Sequence, residues 1–168
     1  MAKGTIYIGI DPDAKKNGVA AVEKGTRFLE TECLTFGATL AYLKRMDEAA
    51  KNSGYNMEIV IEAGWLNHSN WHLPASCSPQ RAAAIGRSVG MNHQTGILLA
   101  ECCAALGYPY RLQKPLRKCW QGKDGKITHA ELKAFTGIEG RTNQEERDAA
   151  LLAWTAAGLP IRIQPKKQ

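Results

Sequence analysis

The stretch TIYIGIDPDAKKNGVAAVE, residues 5–23, decides the fold. Residues 5–10 are an apolar run rich in β-branched side chains, and they close on Asp11-Pro12. A residue before proline is kept out of the helical region, so a strand ending at Asp11 is expected. A polar turn follows. Asn17-Gly18 is a hairpin signal, and residues 19–22 read as the returning strand. Lys24-Gly25 marks a second turn, after which residues 27–36 can form a third strand. Connections this short make neighbouring strands antiparallel.

Beyond this meander the period changes. Leu40, Leu43, Met46, Ala49 and Ala50 fall on one helical stripe within residues 38–53, and Gly54 is a suitable stop. Residues 57–62 read as a short buried strand ending in Glu62. A polar loop with Trp65, Trp71, two histidines and Pro74 leads to a long helical stretch, residues 79–106, with a break expected near Gly90. Pro79 suits its first turn and Gly107 its end. A fifth strand is expected over 108–112, an aperiodic basic loop over 113–126, and two short helices over 127–135 and 143–157. Three meandering strands followed by alternating helix and strand imply an α/β fold. Its sheet would be five-stranded and mixed, covered on both faces by helices.

The chain's 168 residues are enough to bury roughly two-thirds of the unfolded chain's surface. Charged residues at 23% and hydrophobic residues at 44% exclude a disordered chain. No apolar run approaches a membrane span. The first residues lack the apolar core and cleavage site of a secretory signal. Cysteines 33, 77, 102, 103 and 119 form no CxxC pair, so reduced thiols and a cytoplasmic protein are expected. The net charge of +6 permits nucleic-acid binding without establishing it.

Asp11 and Glu62 each close an apolar strand, where an unpaired buried carboxylate is costly. A basic partner or a metal is the usual remedy. Glu145 and Asp148 are spaced i, i+3 near the start of the last helix and so share a face. Four carboxylates converging there would suit hard cations, Mg²⁺ with Mn²⁺ as substitute. Two such ions make the clamp for in-line phosphodiester hydrolysis. Taken singly, each acid reads as easily as a surface residue or a partner of the helix dipole.

The order of these motifs resembles the RuvC family of Holliday-junction resolvases. IGIDPDAKKNGVAAVE is similar to the family's first motif, and IVIEAGW resembles the second, with an aromatic three residues beyond the acid. GRSVGMNHQTGILLAECCAALGYPYRLQKP looks like its long helix, following strand and proline-containing loop. GKDGK resembles its glycine and lysine segment, and EERDAALLAW its final helix. The likeness runs from about residue 5 to residue 157. It implies an RNase H-like fold, a homodimer, branched DNA as partner and Mg²⁺-dependent strand cleavage. The catalytic and metal-binding acids it implies are Asp11, Glu62, Glu145 and Asp148. The chain departs from the family at Glu145, where aspartate is usual, and in a shortened basic loop. Residues 1–158 are then expected to be one nuclease domain and residues 159–168 a basic, frayed tail.

Residues 111–126 hold six basic side chains against one acid, interrupted by Trp120. That composition suits phosphate contacts with stacking on an opened base. The expected DNA contacts are Lys114, Arg117, Lys118, Trp120, Lys123 and Lys126, with Lys15, Lys16, Arg81 and Arg87 as weaker candidates. The resemblance places Lys126 beside the scissile phosphate. It gives Trp65 the part of a wedge at the junction centre, and a loop anchor packed on the core is the competing reading. His68 and His72 share i, i+4 spacing but have no third ligand nearby, so polar surface residues are expected rather than zinc. Gly86 and Gly90 allow close helix contact, at a dimer seam or in ordinary packing.

Rival readings remain. An ATP-binding protein of the actin and sugar-kinase type begins similarly but needs two domains. A non-catalytic DNA-binding relative would not need all four acids. A nuclease of the same fold that acts on flaps, nicks or RNA-containing substrates is not distinguished by sequence.

Overall fold

The computed structural model describes residues 1–68, 73 and 75–163. Trp71, His72, Pro74 and the end of the expected tail lie outside the described residues. The elements are β1 (Thr5–Asp11), β2 (Asn17–Glu23), β3 (Phe28–Leu34), α1 (Phe36–Ser53), β4 (Asn56–Glu62), α2 (Pro79–Leu106), β5 (Tyr110–Gln113), α3 (His129–Thr136) and α4 (Gln144–Ala156). The sheet order is β3-β2-β1-β4-β5. β1 pairs antiparallel with β2, and β2 with β3, while β1 pairs parallel with β4, and β4 with β5. This is the mixed, five-stranded α/β architecture expected from the meander and the alternation after it.

Two expectations need correction. Asn17-Gly18 is not a two-residue turn. Both residues belong to β2, and the connection is residues 12–16. Asn17 is fully buried, accepting the Asp13 N–H at 3.0 Å and donating to Thr39 Oγ1 at 3.0 Å. α2 also runs unbroken past Gly90, which has open space around it. Ser78 caps its start by accepting the Arg81 N–H, and Gly107 ends it in the left-handed region, φ 71°.

The pleat sends alternate side chains to opposite faces. Ile8, Ile10, Val19, Ala21, Ile59 and Ile61 pack beneath α1 and α2, on Leu43, Leu99 and Cys103. Ala20 and Val22 face α4 and α3, with Ala149, Ala150, Ala153, Trp154 and Leu132. Leu159 and Ile161 lie against this second cluster, and the Trp154 indole donates to the Pro160 carbonyl at 2.9 Å. The first residues of the expected tail are therefore anchored. The five cysteines are unpaired. Among the described residues no helix is long and apolar enough to cross a membrane.

The α4 face of the sheet is lined with small residues where the helix crosses it. A Cβ on Gly9 would clash with the Ala149 carbonyl and lie 2.8 Å from the Ala153 nitrogen. One on Gly18 would clash with the Glu145 carbonyl. Gly9 pairs with Ala20, and Asp11 with Gly18, so these small residues form one contiguous saddle. α4 rests in it backbone to backbone.

Gly9→Val and Gly18→Val are expected to destabilise the chain by at least about 1–3 kcal/mol, the usual cost of overpacking. Thermal unfolding checks this. The melting temperature should fall by several degrees, whereas Gly90→Val, in open space, should change it far less.

Candidate functional site

Asp11 and Glu62 are the last residues of β1 and β4. By the pleat they share the face of Gly9 and Val60, opposite Ile8, Ile10, Ile59 and Ile61, and so they point toward α4. The register pairs Ile10 with Ile61, which places the two acids on adjacent strand ends. α4 brings in Asp148 from above. Asp11, Glu62 and Asp148 line a cavity of about 120 Å³ with Arg117, Lys118, Trp120, Lys126, Ile127 and Leu151. A wider cavity of about 440 Å³ adjoins it and shares Asp11, Glu62, Pro115, Lys118 and Lys126. Together they form one cleft beyond the ends of β1 and β4.

The electrostatics show that the acids converge. Burial, then repulsion from Glu62 and Asp148, holds the Asp11 carboxyl well above the usual carboxylate range, against attraction to Lys126. Burial, then Asp148, also raises Glu62, opposed by Lys126 and Lys118. Lys126 Nζ lies 3.5 Å from Asp148 Oδ2. Glu145 is the outlier. Its backbone carbonyl sits on Gly18, its side chain lines neither cavity, and its repulsion of Asp11 is the weakest of the acids. Glu146, beside it, is occupied in a capping box. Glu146 accepts the Asn143 N–H at 2.8 Å and the Thr31 hydroxyl at 3.2 Å.

The loop from Trp120 to Thr128 is bonded to itself. Trp120 N–H donates to the Gly125 carbonyl and Gly122 N–H to the Lys126 carbonyl, at 3.0 and 2.9 Å. Asp124 and Gly125 both take positive φ to close it. Glu131, buried in α3, accepts the N–H groups of Gln121 and Thr128, each at 3.0 Å.

Trp120 corrects an expectation. It is 4% exposed and stacked on Phe135, with ring centroids 5.9 Å apart, so it has no free face for a base. Its apolar ring is worth more in the second core than in solvent. Among the described residues its indole N–H has no partner. Trp65 is half-buried. Its ring lies against Gly96, which Pro12 also approaches, and it meets His93 edge-on with centroids 6.2 Å apart. It is an anchored wall of the wider cavity, packed on the core as the loop-anchor reading expects. Arg117 is exposed at the narrow cavity. Lys114 and Lys123 are exposed and line neither cavity, as do Arg81 and Arg87 on the first turns of α2. Lys15 and Lys16 are exposed in the β1–β2 loop, which is tied to α2 by the Ala14 N–H donating to Asn92 Oδ1 at 2.9 Å. His68 is exposed and His72 lies outside the described residues.

On α2, three cleft residues escaped the sequence reading: Val89, Asn92 and His93. Val89, His93 and Gly96 recur at i, i+4, i+7. That spacing puts them on one helix face, and only the topology turns that face to the cleft.

The residues fit divalent cations by donor chemistry. Carboxylate oxygens are the ligands Mg²⁺ and Mn²⁺ select, and the mutual repulsion of Asp11, Glu62 and Asp148 is what a cation would relieve. Among the described residues no three His, Cys, Asp or Glu side chains are gathered closely enough to ligate one ion outright. In this arrangement Lys126 supplies the compensating charge.

No protein-family model matches the chain, and no curated protein does. Among solved structures it is similar to T. thermophilus RuvC in complex with Holliday junction substrate, at 15% identity. The match covers 91% of this chain and 92% of that chain, with a TM-score of 0.47. At that level the assignment of the site rests on the chain's own geometry.

A carboxyl whose pKa is higher in the folded than in the unfolded chain holds its proton more tightly when folded. Stability then falls as pH rises through the window between the two values. Asp11→Asn in EDTA should therefore melt higher than the parent at neutral pH. The gain should vanish near roughly pH 4, where the unfolded carboxyl also protonates. Melting curves across that range check it, and a lower melting temperature at neutral pH would contradict the raised value.

Proposed function

We propose that the chain is a divalent-cation-dependent endonuclease that cleaves branched DNA, with four-way junctions as its substrate. The observation that carries this reading is the cleft. Two strand-end acids and a helix acid share one cavity with Lys118 and Lys126. Acids alone would repel a phosphodiester, and lysines alone would bind it without chemistry. Their conjunction suits a cation and a phosphate side by side.

Asp11, Glu62 and Asp148 would hold the ions, with Glu145 as a peripheral fourth ligand. When bound, divalent ions would supply Lewis acidity at the phosphoryl oxygens and favour an ionised attacking water. The chain's own groups do the rest. Lys126, released from Asp148, is placed to stabilise negative charge on the phosphate. Lys118 and Arg117 hold the backbone by charge. Hydrolysis adds water across the phosphorus–O3′ bond, leaving a 3′ hydroxyl and a 5′ phosphate. Trp65, Val89 and His93 present an apolar wall beside the acids, suited to bases exposed where strands branch.

Symmetric incision of a junction requires two such sites, which makes a two-fold dimer the proposed unit. α2 supports this. None of its buried residues precedes Gly96, and Met91, Leu98 and Leu106 are 47%, 41% and 55% exposed. Sedimentation at micromolar concentration should give twice the chain mass. A strict monomer, free and on junction DNA, would contradict the dimer and favour cleavage of single strands.

Cleavage of a four-way junction, a flap, a duplex and an RNA–DNA hybrid, side by side, tests the substrate. Junction cleavage should vanish in EDTA, return with Mg²⁺ or Mn²⁺, and fall to background in Asp11→Asn. Full activity of Asp11→Asn would sink the assignment, and preference for another substrate would redirect it. Arg117→Ala and Lys118→Ala should weaken junction binding and each lower the log–log salt slope by roughly one unit. Glu62→Gln should bind with the parent's slope.

A further inference from the structure

We propose that Gln144 is a positioning residue for Asp148, an inference that rests on the metal-dependent reading of the cleft. Gln144 is the first residue of α4, and Asp148 lies one turn on, at i+4, where side chains are neighbours. Gln144 Nε2 donates to Asp148 Oδ1 at 2.7 Å and, at longer range, to the Ile127 carbonyl at 3.4 Å. Gln144 Oε1 accepts from Arg147 Nη2 at 2.9 Å.

Arg147 fixes which way the amide points. A guanidinium only donates, so the group facing it must be the amide oxygen, and the NH₂ is left to face Asp148. Arg147 is itself held at two backbone carbonyls, through Nε to Ile127 at 3.0 Å and Nη1 to Thr142 at 2.6 Å. Three of its nitrogens are thus used on protein oxygens. It braces the segments before α3 and α4 and leaves phosphate contact to Arg117 and the lysines.

The two oxygens of Asp148 consequently have different tasks. Oδ1 is held by the Gln144 amide, and Oδ2 faces Lys126. The carboxylate is fixed in rotation, and Oδ2 is the atom left for a cation. Helix capping does not explain the arrangement, because Asn143 and Glu146 already form the capping box of α4. An amide that orients a metal-binding carboxylate is typically worth roughly ten- to a hundredfold in metal affinity.

The test is Mn²⁺ binding to the DNA-free protein, read by calorimetry or by the loss of the free Mn²⁺ resonance. Gln144→Met keeps the bulk and removes the amide, and Gln144→Ala substitutes the best helix former at an incompletely buried position. Both should bind Mn²⁺ roughly ten- to a hundredfold more weakly than the parent. Their affinity for junction DNA in EDTA should be unchanged, because the phosphate-holding cations are intact. Mn²⁺ affinity equal to the parent's in both variants would overturn the inference, and so would a lowered melting temperature with Mn²⁺ affinity unchanged. If the parent binds no Mn²⁺, the metal reading of the cleft fails and this inference fails with it. If the parent binds and both variants bind equally, only the role of Gln144 is lost.

Discussion

The contact on which the structure depends is that of α4 with the sheet, backbone against backbone, over Gly9, Gly18 and Ala20. On the other face the sheet carries Ile8, Ile10, Ile59 and Ile61, and the covering helices stand off at side-chain distance. On this face the strands have been emptied of bulk, and the helix answers with Ala149, Ala150 and Ala153. The close approach brings the first turns of α4 over the end of β1. Asp148 reaches the neighbourhood of Asp11 and Glu62 only because nothing larger than a hydrogen lies beneath the helix at Gly9 and Gly18.

That approach places like charges together, and the surrounding fold must hold them there. Most of the holding is apolar: the two clusters on either side of the sheet fix β1, β4 and α4 regardless of what the acids prefer. The rest is polar and local. Lys126 and Lys118 lower the repulsion felt by Glu62, and Asp148 divides its oxygens between Gln144 and Lys126. Asp11 has no hydrogen bond from a side chain among the described contacts, and burial, then repulsion from Glu62 and Asp148, raises its carboxyl.

Much of this was legible in the sequence because it is written in period and punctuation. The strand ending in Asp-Pro, the strand ending in Glu62 and the helix opening at Pro79 and closing at Gly107 each carry a local physical signature. Asn17-Gly18 was misread because its local meaning, a turn, was overridden by two distant facts: a buried amide bonded to Thr39, and α4 lying on the glycine. Trp120 was misread for a similar reason. A tryptophan among lysines looks exposed until the strand order shows that its loop folds back over the second core beside Phe135. His93 and Gln144 lie on helices whose facing surfaces follow from topology, and no spacing within one segment reveals them without it.

The self-bonded loop between Trp120 and Thr128 has a thermodynamic consequence. Its turn hydrogen bonds and the carboxylate of Glu131 fix the backbone that carries Lys126, with Lys118 packed against Gly125 at its base. Ordering a flexible lysine-rich loop at the moment of association would cost conformational entropy for each side chain and peptide immobilised. Here most of the backbone share of that loss is incurred during folding, and a binding partner meets charges already spaced. For a phosphate-bearing partner of the kind proposed, affinity at this edge of the cleft would then be governed by the geometry of its phosphates. A flexible basic tail adapts to any polyanion, whereas this loop would favour one whose charges arrive at the spacing it presents.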